Sequence, residues 1–489
     1  MLAIPIFLPL ISGFVLFLLA TAGHKWQEGI TKKLSVAVMG IVLLTAVFHG
    51  INLYEKSPAV TVWKLKEDIP ILLNLDDLGT VFSTLVVFVW ILITLYTFSY
   101  MKGDKKGVRF LGCHLMTLGM LMGITSAGNL VTMYLFYEGM TLATIGYVIH
   151  AQTKEAIAAG YKYVFYSIAG AFLGLIGFFY IYQLTPSIAF TPGGNFTHAA
   201  IAGHEMTLQL AVLGMIIGFG SKAGMFPLHG WLSTAHPVAP APASAILSGV
   251  NTKMGVIAIL RVVYYIAGAD FLWKSFVQYI VIGLTLLTVF MGSMLAFKEK
   301  IMKRRLAYST VSQVSYILFG IMLLQPVGFV GAMLHVIYHS VIKNNLFLCA
   351  GAVIHETGTT RVEGYRGIGK RMPVTMVCFT LASLALVGIP PFSGFVSKWK
   401  LCIGALYSGI RWTKIAGPVV LLVSALLTAG YLLTVSVHAF YDKPEKDERV
   451  KEDGKMVIPM VILAALALLL GIFNEPLIHA LEDIVKEII

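Results

Sequence analysis

Fourteen apolar stretches, most of them close to 20 residues long, follow one another along this chain. They run near 2–20, 34–52, 78–99, 109–127, 128–149, 162–183, 207–225, 242–266, 273–296, 305–323, 328–355, 375–408, 415–440 and 456–474. About 20 apolar helical residues cross the hydrocarbon core of a bilayer. In lipid every backbone donor and acceptor must be bonded internally, which leaves the α-helix as the spanning element for runs of this length. The expected fold is an all-α polytopic membrane protein with roughly 14 transmembrane helices. Only 12% of residues are charged, about half the share in a soluble domain. Longer polar stretches occur only at 53–77, 184–206 and 442–455, so the chain reads as a single integral membrane domain over 1–489.

A net charge of +12 could suggest nucleic acid, but the basic residues sit in short loops between apolar runs. That distribution is topogenic, and no nucleic-acid partner is expected. Loops after the odd-numbered stretches hold 23 lysines and arginines, from Lys25, Lys32 and Lys33 in the first to Lys443, Lys446, Arg449, Lys451 and Lys455 in the last. Loops after the even-numbered stretches hold 7. The positive-inside rule then places both termini on the non-cytoplasmic side of a cell (inner) membrane. Ala20-Thr21-Ala22 resembles a signal-peptidase site. No positive residue precedes the run, and the run exceeds an h-region of about 7–15 residues, so an uncleaved first helix is expected.

Cys113, Cys349, Cys378 and Cys402 lie in or beside apolar runs with no CxxC spacing, and no GxGxxG or P-loop is present. The cysteines read as small buried hydrophobes. No cofactor or metal is expected in this chain. Asn195-Phe196-Thr197 matches a glycosylation pattern that is weak alone.

Two stretches are interrupted. The seventh breaks at Gly224-Met225-Phe226-Pro227 and leads into the proline-rich HPVAPAPAS; the twelfth breaks at Gly388-Ile389-Pro390-Pro391 and Gly394. Proline removes a backbone donor and clashes with the preceding turn, so each break frees carbonyls that need a cavity or neighbouring protein. Breaks five segments apart suggest two five-helix repeats, 109–266 and 273–440, with three helices before them (1–108) and a last helix and C-terminus after (456–489). An odd repeat length inverts the second copy in the membrane.

Ionisable residues inside the apolar runs cost several kcal/mol unless paired or hydrated, so they mark an ion or proton route. They are Glu138, Lys222, Lys253, His335, His339, Lys343 and Lys398. His335, His339 and Lys343 recur at i, i+4 and i+8 and share a helix face. Lys343 has a second reading, as support for a helix interruption near Asn344-Asn345. His229 and His236, near the first break, could shuttle protons or simply bond freed carbonyls. Arg261 and Lys400 read as snorkelling or lipid-facing, and Tyr134 and Tyr137 as packing.

The run GSKAGMFPLHGWLSTAHPVAPAPASAILSGVNTKMG resembles the signature of the antiporter-like subunits of respiratory complex I, Mrp cation/proton antiporters and membrane-bound hydrogenases. LVTMYLFYEGMTLATIGYVI, RRLAYSTVSQVSYI, the HxxxH helix and GIPPFSGFVSKW occur in that family's order. The resemblance implies 14 helices, inverted five-helix repeats and broken helices 7 and 12. It makes Glu138 the fifth-helix glutamate and Lys222 its seventh-helix lysine partner. Lys253 becomes the central lysine of helix 8, and His335 and His339 the histidine pair of helix 11. Lys398 stands at the helix-12 position, which is lysine in some members and glutamate in others. That lysine and the short segment after the last helix make the chain most similar to the D-type subunit of Mrp antiporters or the N-type subunit of complex I.

Burial disfavours a charged lysine, whereas a nearby carboxylate holds its proton on. At about 4 Å and an effective dielectric near 20 the attraction is roughly 4 kcal/mol. Moving Glu138 relative to Lys222 would then switch Lys222 between holding and releasing a proton, with Lys253 receiving it through water or histidine and Lys398 as exit-side acceptor. Near-neutral histidines suit a relay between lysines. The expected partners are other membrane subunits, including paralogous antiporter-like ones, with protons, lipid and in some versions sodium. Two other functions compete: a stand-alone transporter of an organic solute, which needs a substrate cavity that nothing in the sequence marks, and a passive anchor, which would have no reason to retain so many costly charges.

Overall fold

Several helices begin where the sequence offers a capping side chain. Asp76, Asn129, Thr153 and Ser275 each precede an apolar run and accept a hydrogen bond from a backbone N–H of the first turn, satisfying a donor that a helix start leaves unpaired. The computed structural model describes residues 1–22, 30–185, 187–444 and 448–489. Lys25 and Lys446 of the loop charges lie outside the described residues.

Counting helices of seven residues or more, the chain runs α1 (Ile4–Thr21), α2 (Lys32–Tyr54), α3 (Asp77–Tyr100), α4 (Gly107–Thr125), α5 (Leu130–Val148) and α6 (Lys154–Leu184). Next come α7 (Glu205–Ala223), α8 (Leu232–Val238), α9 (Ala241–Ala267), α10 (Phe276–Lys298), α11 (Met302–Met322) and α12 (Pro326–Thr357). The chain finishes with α13 (Pro373–Val387), α14 (Ser393–Tyr407), α15 (Thr413–Tyr441), α16 (Gly454–Ile472) and α17 (Glu475–Ile488). The protein is an all-α, multi-pass membrane protein. Within the polar stretch 53–77 the strands β1 (Val60–Lys66) and β2 (Ile69–Leu73) form an antiparallel hairpin that the hydropathy pattern does not reveal.

Among the described residues eleven helices are long and apolar enough to cross a membrane. The other three of the expected fourteen are helical but fall short of that criterion. α5 carries Glu138 and three threonines among its 19 residues. α11 opens on Lys303, Arg304 and Arg305 and carries Ser309, Thr310, Ser312, Gln313 and Ser315. The twelfth stretch is divided between α13 and α14, each of 15 residues.

Both breaks have the same backbone cause. α7 ends on Gly224 (φ +83°) and α13 on Gly388 (φ +90°), each in the left-handed region that glycine enters without penalty. Phe226–Pro227 and Pro390–Pro391, just beyond, are cis. The proline-rich run after the first break is not a loop. Pro237 lies inside α8, Pro240 caps α9 and Pro242 occupies its first turn, the one place where proline's missing N–H is harmless.

α9 lies at the centre, buried along its whole length and packed against α7, α11 and α12. Two π-helical segments interrupt it, Leu247–Asn251 and Arg261–Ala267. At the rim, α1, α2, α6, α15 and α16 turn apolar side chains such as Val47, Phe165, Phe172, Leu422 and Leu426 outward, as lipid contact requires. α17 is amphipathic; Ile478, Leu481, Ile484, Val485 and Ile488 are buried and the helix lies against α12.

Candidate functional site

Lys222 stands in the last turn of α7, one turn from the break, and is buried. Its Nζ donates to Thr141 Oγ1 on α5 (2.9 Å) and to the Tyr163 hydroxyl (2.8 Å) and Ser167 Oγ (2.9 Å) on α6. An ammonium has three protons, so these acceptors satisfy it completely. The Tyr163 ring centroid is 4.5 Å away, and its hydroxyl also contacts Thr144 Oγ1 at 2.6 Å. The close Glu138–Lys222 ion pair expected from the sequence is not made in this conformation. Glu138, one turn before Thr141 on α5, has Oε1 buried without a hydrogen-bond partner. Neutral hydroxyls hold the ammonium instead, and the carboxylate is left uncommitted nearby.

Lys253 follows the first π segment of α9. Its Nζ donates to the Ser248 carbonyl at 2.7 Å and shares a 2.7 Å hydrogen bond with His339 Nδ1. Either an ammonium donates to a neutral ring, or an imidazolium donates to a neutral amine. These are one contact with the proton on opposite sides. His339 Nε2 is buried without a partner. The ring of His335 stacks over His339, centroids 5.8 Å apart and planes 22° apart. His335 Nε2 contacts Gln313 Oε1 at 3.1 Å, and its Nδ1 contacts Ser397 Oγ at 2.9 Å. Ser397 Oγ also reaches the Gly394 carbonyl at 3.3 Å. Serine can therefore donate to a neutral ring or, turned to Gly394, accept from a charged one. His335 is equipped for both protonation states.

Lys398, beside Ser397 on α14, donates to the carbonyls of Leu386 (2.5 Å) and Val387 (3.0 Å). These oxygens are freed where α13 ends, at the negative pole of its dipole. Tyr316 faces both Lys398 (Nζ 5.2 Å from the ring centroid) and His335 (ring centroids 5.5 Å). Lys398 is 8% exposed, against 1% for Lys222 and none for Lys253 and Lys343; it is the least buried of these lysines.

Several expectations change. α12 is continuous through Asn344-Asn345, so Lys343 supports no interruption; its Nζ donates to the Leu306 carbonyl (3.0 Å) and to Ser309 Oγ on α11. His335, His339 and Lys343 share a broad helix face; His335 reaches α11 and α14, His339 reaches α9 and Lys343 reaches α11, as each four-residue step rotates about 40°. Among the described residues His229 and His236 bond no freed carbonyl. Trp231 Nε1 donates to the Ser221 carbonyl at 2.9 Å instead, and both nitrogens of His236 are buried without partners while its ring stacks on Phe347. Arg261 does not face lipid. It is buried and makes a two-pronged ion pair with Asp76 (2.5 and 2.6 Å), flanked by the rings of Phe190 and Tyr265. Lys400 is partly exposed and lies 3.9 Å from Glu482 of α17. Lys303 and Arg305, counted as loop charges, are buried at the start of α11, where they hold the carbonyls of Ala239, Glu299 and Tyr431. Asn195 Nδ2 donates to the Ala189 carbonyl at 2.6 Å. Tyr137 is packed edge-on to Phe219, as expected.

Among the described residues no direct hydrogen bond joins Lys222 to Lys253, whose ammoniums both go to other acceptors. Beside them, however, α7 and α9 touch backbone to backbone. A Cβ at Gly255 would lie 2.6 Å from Ala223 N. Asn251, two residues before Lys253, has both amide atoms buried without partners. Buried polar atoms of this kind are ordinarily satisfied by water. The residues the sequence did not single out are the acceptors Thr141, Tyr163, Ser167, Gln313 and Ser397, the Tyr316 ring and the unpartnered amide of Asn251. Among the described residues no group of three His, Cys, Asp or Glu side chains is arranged to hold a metal ion.

The family described as NADH:quinone oxidoreductase/Mrp antiporter, TM, matches residues 127–428, which contain Glu138, Lys222, Lys253, His335, His339, Lys343 and Lys398. The chain belongs to that family. A second family, described as NADH-ubiquinone oxidoreductase (complex I), chain 5 N-terminus, matches residues 66–111. Among relatives in the NADH:quinone oxidoreductase/Mrp antiporter family, NADH-quinone oxidoreductase subunit N of Desulforudis audaxviator is 32% identical over 427 residues, 83% of each chain. The D subunit of the Na(+)/H(+) antiporter of Alkalihalophilus pseudofirmus is 29% identical, over 99% of this chain and 96% of its own. The fold is similar to that of a chain in the membrane-bound sulfane sulfur reductase, an archaeal respiratory membrane complex, with a TM-score of 0.85, 25% identity and coverage of 100% of this chain and 97% of that one.

Proposed function

We propose that this chain is the proton-translocating, antiporter-like membrane subunit of a complex I-related machine. The observation that carries the reading is the row Lys253–His339–His335–Ser397 in the middle of an apolar bundle: Lys253 is hydrogen-bonded to His339, the His339 ring stacks on His335, and His335 is hydrogen-bonded to Ser397, the sequence neighbour of Lys398. Lys222 is the entry-side station, switched by Glu138: with the carboxylate apart, as here, three hydroxyls hold the proton, and approach of the carboxylate would hold it more tightly. His229, His236 and Lys343 serve as secondary stations. The repeats 109–266 and 273–440 are inverted copies, and the shared pattern of helix, left-handed glycine and proline at both breaks supports that organisation. The loop charges favour non-cytoplasmic termini. Protons are the transported ion, with sodium as a counter-ion in the Mrp version; the energy comes from partner subunits, and no cofactor resides in this chain.

Mass spectrometry of the detergent-purified complex tests the reading. Co-purifying NADH-oxidising, hydrogenase or small Mrp-type subunits would each support it and name the driving reaction. A chain that purifies alone and accumulates an organic solute in proteoliposomes would overturn it.

A further inference from the structure

A groove of about 650 Å³ opens between α2 and α3. On α2 it is lined by Lys32, Ser35, Val36, Met39 and Leu43, spaced i, i+3, i+4, i+7 and i+11, one stripe of a single helix face. On α3 it is lined by Leu95, Phe98 and Ser99, again one stripe, and just beyond the helix end by Lys102. The helices run antiparallel, so the first residue of α2 and the end of α3 meet on one side of the membrane. Lys455, at the start of α16, joins them there. The groove thus has three lysines at one end and an apolar channel running away from them into the bilayer.

None of the three ammoniums makes a hydrogen bond or ion pair with a described residue, whereas the buried lysines of the bundle are all bonded. The one carboxylate among the described residues that line the groove, Asp453, is already engaged: Oδ2 accepts from Ser99 Oγ (2.5 Å) and Oδ1 from the Lys455 N–H (2.8 Å). Among the described residues, three positive charges therefore face one negative charge that the protein has fixed in place. Below them Val36 and Leu43 are 66% and 46% exposed, and a Cβ at Gly40 would meet nothing within 4 Å.

We propose that this groove is a specific site for an anionic phospholipid, whose phosphate sits among Lys32, Lys102 and Lys455 and whose acyl chain lies along Val36, Met39, Leu43, Leu95 and Phe98. Basic pockets between transmembrane helices recognise anionic headgroups, with each surface lysine contributing about a fivefold gain in binding. A free phosphate would use the lysines alone; a zwitterionic lipid would use the channel without selecting for charge. The site is independent of the proton route and of which face is cytoplasmic.

The intact complex is reconstituted with photoactivatable phosphatidylglycerol or photoactivatable phosphatidylcholine, and labelled peptides are mapped. Phosphatidylglycerol should label α2 and α3 around the groove, and phosphatidylcholine should not. The triple variant Lys32→Gln, Lys102→Gln, Lys455→Gln should lower that labelling roughly tenfold to 100-fold. Gly40→Leu, at a position where a Cβ meets nothing within 4 Å, should lower it with the lysines intact. Equal labelling by the two lipids, triple-variant labelling equal to the unaltered complex, or absence of lipid from the groove because another subunit covers it would each overturn the proposal. Assembly of both variants is confirmed by size-exclusion chromatography.

Discussion

Lys253 Nζ and His339 Nδ1 lie 2.7 Å apart, on α9 and α12, with neither side chain open to solvent. Neither partner is a carboxylate, so the proton on this contact is not fixed by an ion pair and can reside on either group. Residues that act through one shared bond lose function together. Lys253→Ala and His339→Ala should each lower coupled proton flux by roughly tenfold or more, and the double variant should be no worse than the poorer single one. Multiplicative losses would show that the two side chains act on separate routes.

Glu138→Gln should leave the fold and assembly intact, because the carboxylate makes no ion pair in this conformation. It should still impair translocation, since the amide cannot draw the proton onto Lys222. Proton pumping in sealed vesicles beside native gel analysis separates the two effects. Failure to assemble would assign Glu138 a structural role.

Lys398 offers a cleaner separation of structure from chemistry. Arginine can reach the Leu386 and Val387 carbonyls but does not release its proton in proteins. Lys398→Arg should keep the thermal stability of the complex and lose pumping, whereas Lys398→Ala should lose pumping and leave the end of α13 uncapped, about 1 kcal/mol less stable. An arginine variant that pumps normally would remove Lys398 from the route.

The Arg261–Asp76 pair makes a stability prediction unrelated to transport. Asp76→Asn leaves a buried guanidinium without its counter-charge and should cost about 2–3 kcal/mol, below the range for a fully buried pair because the Asp76 carboxylate is 28% exposed. The double variant Asp76→Asn, Arg261→Met should recover most of the loss. Thermal midpoints of the purified complex check both values.

The sequence disclosed these features unevenly, for physical reasons. Spans were legible because lipid demands unbroken apolar length, and both breaks because glycine and proline leave few alternatives. Glu138, the lysines and the histidines stood out because charge is expensive in hydrocarbon. Their acceptors did not: Thr141, Tyr163, Ser167 and Ser397 are ordinary residues of apolar helices, and no local spacing links Gln313 to His335. Arg261 looked lipid-facing because its partner Asp76 is 185 positions away. The hairpin at 60–73 was missed because an exposed two-stranded ribbon buries too little to leave an apolar pattern, and the π segments of α9 because they depend on packing with α11 and α12 rather than on composition.

Tag accessibility on intact cells tests the orientation. A tag after Ile489 should react without permeabilisation, and one inserted between Gly103 and Asp104 only after it. The reverse pattern would invert the assignment of entry and exit sides while leaving the row of contacts unchanged.

The most direct test of the relay is dye-reported proton flux across proteoliposomes holding the intact complex, driven by an imposed pH difference, with Lys253→Met compared to the unaltered protein. Methionine keeps the volume of the lysine stem in a fully buried site but cannot carry a proton. The account predicts a fall in flux of roughly tenfold or more with the complex still assembled; flux equal to that of the unaltered protein would contradict it.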